Sequence, residues 1–177
     1  MDTRRPATDA EAKALASALR LRILRICLDE PRTNKEIAEL LGRDPASVLH
    51  HIRTLVRTGF LQPQPDRRGA RGSREVPYLA TRKSWQLSAP AVDRSLLAAF
   101  LEELALVPRE EVDTARLGLR LSPEHLAEFR GRLRDLLEEY ARLPDDPSGT
   151  AWSLFLALHP DPNRPSSDPG PADSTPG

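Results

Sequence analysis

Two helix-capping signals stand almost back to back in this chain, and they constrain its fold more than any other feature. The first is Thr33-Asn34-Lys35-Glu36. A threonine hydroxyl there can accept the backbone N–H three residues on, and the glutamate can reach back to the threonine's own N–H. Ile37, Leu40 and Leu41 give the helix that follows its apolar face. Gly42 ends it, because glycine tolerates the left-handed conformation of a helix stop. The second signal is Asp44-Pro45, a good N-cap followed by a residue suited to the first helical position. Val48, Ile52 and Leu55 then share one face, and Gly59 closes the helix. Only Arg43 separates the stop of one helix from the start of the next, so the pair must meet at a tight turn.

The flanks extend this pair. Asp9–Leu28 reads as a helix, with Leu15, Leu19, Ile23 and Ile26 at helical spacing, Leu21 and Leu24 widening the stripe, and Pro31 beyond its end. After Gly59 an extended stretch at 60–64, a polar loop at 65–74 and a second extended stretch at 75–81 read as a β-hairpin with a long loop. Helix, short helix, tight turn, capped helix and basic hairpin form the pattern of a winged helix-turn-helix.

In the second half, 88–107 reads as a helix with Leu96, Leu97, Phe100, Leu101 and Leu104 on one wide stripe. Residues 114–121 alternate, with Leu117, Leu119 and Leu121 to one side, and read as a half-buried strand. Ser122-Pro123-Glu124 starts a helix that runs to about Arg142, and Ala151–Leu158 is a nearly all-apolar strand. Two strands alone are marginal. This strand–helix–strand unit is therefore expected to lean on the rest of the chain or on a second subunit. The fold class expected is α+β, mainly α, with three regions. Residues 9–85 form the winged helix-turn-helix, 88–159 a helix plus the strand–helix–strand unit, and 160–177 a proline-rich tail too polar to offset its ordering entropy.

Charge is divided unevenly. The 177 residues carry 26 Lys+Arg and 26 Asp+Glu, a net of zero. Residues 1–85 hold 17 basic and 10 acidic residues, a net of +7, and residues 86–177 hold 9 and 16, a net of −7. A basic half within a neutral chain points to a polyanionic partner for that half. No apolar run approaches the roughly 20 residues that span a bilayer, and no secretory signal is visible. With the single cysteine Cys27 the default compartment is the cytoplasm.

The segment ALASALRLRILRICLDEPRTNKEIAELLGRDPASVLHHIRTLVRTGFLQ resembles the ArsR-type winged-helix family of bacterial transcriptional regulators. The matching features are Leu19-Arg20-Leu21-Arg22-Ile23-Leu24, the run Glu36 to Gly42, and the frame of Ser47, Val48, His51, Ile52, Arg53, Leu55, Gly59, Phe60 and Leu61. The likeness covers about residues 12–85. It implies a dimeric regulator, more often a repressor, whose interface is built by the first helix and the helix after the wing.

On physical grounds the 44–58 helix is the one that enters the major groove. Opposite its apolar face lie Ala46, His50, Arg53 and Arg57, flanked by Ser47 and Thr54. Arg53 can donate two bonds to a guanine edge, His50 can bond a base, and Ala46 can touch a thymine methyl. Arg67, Arg68, Arg71 and Arg74 of the hairpin suit phosphates or the narrow minor groove. Thr33 and Ser47 lie at helix N-termini, where backbone N–H groups favour phosphate.

The partners expected are double-stranded DNA, a second copy of the chain and an effector of unknown identity, with no membrane and no cofactor. The competing reading is a winged helix used for protein–protein contact without sequence-specific DNA binding. Cysteine-pair metal sensing, common in the resembled family, does not fit a chain with one cysteine. Catalysis is not expected. Glu124 and His125 read as helix-start residues, and Asp145-Asp146 as a solvated loop.

Overall fold

The N-terminal apolar stripe folds as two helices rather than one, α1 (Asp9–Leu15) and α2 (Ala18–Ile26). Ser17 makes the break. Its backbone is extended, and its side chain accepts from the Arg20 N–H as the N-cap of α2. Arg20 in turn covers the end of α1, donating to the Lys13 carbonyl at 2.6 Å and to that of Ala14. The spacing of Leu15, Leu19, Ile23 and Ile26 runs in phase across the break, so periodicity alone reads one helix. The computed structural model describes residues 4–69, 73–88, 93–144, 146 and 148–164.

Further elements follow in chain order. These are β1 (Arg5–Pro6, ahead of α1), β2 (Arg32–Thr33), α3 (Asn34–Leu41), α4 (Pro45–Arg57), β3 (Leu61–Pro63), β4 (Arg67–Arg68), β5 (Arg74–Glu75), β6 (Pro77–Ala80), β7 (Leu87–Ser88), α5 (Asp93–Leu104) and α6 (Pro123–Ala141). Strand β6 is central to a three-stranded antiparallel sheet, with β3 on one side and β2 on the other. Leu61 faces Ala80 and Pro63 faces Tyr78, while Arg32 faces the same Tyr78 from β2. Strands β4 and β5 extend the hairpin as a separate short ladder, and β1 runs parallel to β7. Gly69 lies within this hairpin; Arg71 lies outside the described residues.

The chain divides into two compact units, Met1–Val112 and Asp113–Gly177. The core lies in the first. Ile23, Cys27, Ile37, Val48, Ile52 and Leu55 are each fully buried, and Phe60 and Leu61 join them from the base of the wing. The backbone of α2 is tied to the wing where the Ala80 N–H donates to the Cys27 carbonyl at 2.8 Å. Helix α5 starts later than its sequence pattern suggests, because Leu87–Ser88 is strand. It packs on α2 through the buried Ala99, with Arg22 paired to Glu102 at 3.1 Å, and so belongs to the first unit.

In the second unit α6 forms where the Ser-Pro-Glu start signal sets it, and the Ser122 hydroxyl accepts from the His125 N–H at 3.2 Å. The fold is mixed α and β, as expected, but the two strands flanking α6 are not formed. Neither 114–121 nor 151–158 belongs to a hydrogen-bonded ladder among the described residues. Both carry strand-like side-chain patterns, but a strand exists only when a neighbour accepts its backbone bonds. Of the proline-rich stretch 160–177, only 160–164 falls among the described residues.

Candidate nucleic-acid interface

The helix-turn-helix is built as its caps prescribe. Thr33 and Glu36 form a reciprocal capping box, the Thr33 N–H donating to Glu36 at 2.7 Å and the Glu36 N–H to the Thr33 hydroxyl at 3.3 Å. Gly42 takes the left-handed conformation at φ 60°, which a side chain would strain. Asp44 then caps α4, accepting from the N–H groups of Ala46 at 2.9 Å and Ser47 at 3.2 Å. The Asn34 amide donates across the turn to the Pro45 carbonyl at 3.0 Å and joins the two helix starts.

One side of α4 is locked and the other is open. Val48, Ile52 and Leu55 are all 0% exposed. Burial of a side chain of this size contributes about 1.5–3 kcal/mol, so three such anchors hold the helix in one orientation. The outward side presents Ala46, Ser47, His50, Arg53 and Arg57, all exposed, with Thr54 half-buried beside them. The helix contains no acidic residue. Two arginines and no carboxylate therefore face solvent from an element that is rigid. His51 sits at the flank, its ring edge-on to that of His50. Burial, with help from the Arg20, His50 and Arg43 charges, lowers its pKa.

Not every expected contact residue is available. Thr33 is only 3% exposed, and its hydroxyl both accepts from the Glu36 N–H and donates to the Glu36 carboxylate. Its place is the cap of α3, and the expected phosphate contact does not fit. Burial of a capping threonine follows from β2, which pairs Thr33 with Pro77.

The described wing arginines, Arg67, Arg68 and Arg74, are exposed but not equivalent. Arg67 forms an ion pair with Glu36 on α3, and Arg74 one with Asp66. The Thr33 N–H, more than Arg67, holds the Glu36 carboxyl below its ordinary range. Arg68 lies directly opposite Arg74 in the β4–β5 ladder. Like charges facing across a ladder repel, and an anion relieves that repulsion.

Sequence reasoning missed what fixes the far end of α4. The Lys83 ammonium donates to the Thr58 carbonyl at 2.7 Å, lies 5.1 Å from the Phe60 ring centroid and pairs with Glu11 at 2.7 Å. Glu11 is 6% exposed, and it also accepts from Arg5 and from the Thr8 N–H. These residues are far apart in sequence, and no local motif marks them. The one local signal that could have pointed here is the Thr8-x-x-Glu11 capping box, and it accounts for only the Thr8 N–H bond of the several.

Cys27 is fully buried, and loss of solvation pushes its thiol up to about 12. A thiol of that kind does not supply the thiolate that metals and oxidants require. Among the described residues no three of His, Cys, Asp and Glu stand close enough to hold a metal ion, and no helix is long and apolar enough to cross a membrane.

Residues 15–64 match the family model of a helix-turn-helix domain. No curated protein matches the chain. Among solved structures, reduced HlyU from Vibrio cholerae is 23% identical with a TM-score of 0.35, over 52% of this chain and 84% of its own. The homodimeric winged helix-turn-helix DNA-binding domain of a possible ArsR-family transcriptional regulator from Mycobacterium bovis is 19% identical with a TM-score of 0.34, over 59% and 82%. A possible transcriptional regulator from Methanosarcina mazei is 14% identical with a TM-score of 0.37, over 55% and 81%. The family match covers the Thr33–Glu36 capping box, the glycine stop, the Asp44 cap and the outward face of α4, and so residues 15–64 are a helix-turn-helix domain.

Proposed function

We propose that this protein is a transcriptional regulator that binds double-stranded DNA as a homodimer and acts as a repressor. Helix α4 enters the major groove, with Arg53 and Arg57 on base edges or phosphates and Ala46, Ser47, His50 and Thr54 beside them. Arg67, Arg68, Arg71 and Arg74 of the wing track the backbone or the minor groove. The observation that carries this reading is the acid-free outward face of α4, held rigid by Val48, Ile52 and Leu55. Dimerisation is supported by α5, which leaves Leu96, Leu97 and Leu101 between 42% and 53% exposed although it packs on α2 with its other side. Two recognition helices related by a twofold axis read an inverted repeat with half-site centres about 10 base pairs apart.

The test is a mobility shift with fragments selected from the genome and sequenced, repeated at two salt concentrations. About four phosphates neutralised per subunit give a dimer slope of roughly −7 in log K against log salt. Replacing Arg53 and Arg57 together by alanine should cost roughly thirtyfold or more in affinity and leave the melting temperature nearly unchanged. Unaltered DNA binding by this double variant places recognition elsewhere, and no retained fragment at low salt favours the protein–protein reading.

A further inference from the structure

We propose that Glu36 and Asp66 act as internal counter-anions of the wing, holding Arg67 and Arg74 in ion pairs that a DNA phosphate must displace, and so lower the affinity for any duplex. This rests on the regulator reading and adds a restraint on the wing of that same site.

The two oxygens of Glu36 have separate tasks. Its Oε2 accepts from the Thr33 N–H at 2.7 Å and from the Thr33 hydroxyl at 3.0 Å, which completes the cap of α3. Its Oε1 accepts from the Arg67 guanidinium instead. The cap needs one acceptor oxygen, and glutamine supplies that as well as glutamate does. The second oxygen and the charge therefore serve Arg67. Arg67 stands opposite Glu75 in the β4–β5 ladder, yet its guanidinium pairs with α3, which ties the wing to the helix-turn-helix. Arg74 donates through Nε to Asp66, the residue just before β4.

The restraint is confined to part of the wing. Among the described residues Arg53 and Arg57 of α4 have no carboxylate partner, and neither has Arg68. Phosphate contacts supply affinity without regard to sequence, whereas base edges supply specificity. A carboxylate held on a wing arginine thus weakens binding to every sequence alike. Phosphate can compete because the pairs are open to solvent. The Arg67 side chain is 45% exposed and that of Arg74 84%, and ion pairs of this kind are weakly held.

The experiment measures binding of a random-sequence duplex to the full-length chain by fluorescence anisotropy at low salt. Glu36→Gln and Asp66→Asn should each tighten binding several-fold, and together about tenfold, with little change in melting temperature. Glu39→Gln removes an equal charge from the same helix, where its partner is Lys35, and should have a smaller effect. In an Arg67→Ala background the Glu36→Gln gain should fall to the Glu39→Gln level, and Asp66→Asn should lose its gain beside Arg74→Ala. Unchanged or weaker binding by the doubly substituted chain overturns the proposal. So does a gain that survives removal of the arginine, which marks a general effect of charge. Either of those results, with duplex bound by the natural chain, leaves the regulator reading standing; no duplex bound by any of the chains overturns both.

Discussion

Glu11 sits where several donors converge. Its carboxylate accepts from Arg5 at 2.7 and 2.9 Å and from the Thr8 N–H at 2.8 Å, and pairs with Lys83 at 2.7 Å. Arg5 first, then Lys83, hold its pKa well below the ordinary value of 4.5. A carboxyl depressed on folding stabilises the folded state above its unfolded pKa, and that stability is lost as pH falls below it. The advantage of the natural chain over Glu11→Gln should thus be full at neutral pH and shrink as pH drops below 4.5, read from melting temperatures across pH. Cys27 supplies a second prediction at this scale. With its thiol raised to about 12 by burial, it should resist a thiol reagent at neutral pH in the folded protein and react promptly in denaturant. Cys27 lies four residues after Ile23 of the apolar stripe, so its burial follows from one helical period. The Glu11 cluster is not legible in this way, because Arg5, Glu11 and Lys83 meet only through the fold.

At the scale of elements, the turn between α3 and α4 depends on a few local bonds. Asp44 accepts from two N–H groups at the start of α4, and no other acid stands in that helix's first turn. Asp44→Ala should cost about 1 kcal/mol of stability by denaturant titration. It should also weaken DNA binding, since Ala46 and Ser47 at the loosened end belong to the outward face. These elements were readable in advance because caps, glycine stops and apolar faces are local. The break at Ser17 was not, since a serine cap leaves the phase of the stripe intact. The strands expected at 114–121 and 151–158 do not form among the described residues for another reason: alternation in the first and an apolar run in the second mark segments able to pair, and a ladder needs a neighbour that the local pattern does not supply.

At the scale of the whole molecule, the neutral chain joins a basic half to an acidic one. The buried core and α5 both lie in the unit that ends at Val112. A chain cut after Val112 should fold, keep the α5 surface, and bind non-specific DNA more tightly than the full chain at low salt, because the acidic remainder no longer repels phosphate. Fluorescence anisotropy with a random duplex measures this. Equal affinity for the two chains would make the charge division incidental to binding.

The sequence by itself determined the helix-turn-helix, its outward residues Ala46, Ser47, His50, Arg53 and Arg57, and the position of the wing. Each of these follows from bonds between neighbours or from one helical period. Tertiary structure alone decided that Thr33 is buried in its cap, that Arg67 and Arg74 carry carboxylate partners, that Lys83 fixes the end of α4, and that the leucines of the second unit stand exposed. All four depend on which distant segments come together, and a local pattern holds no record of that.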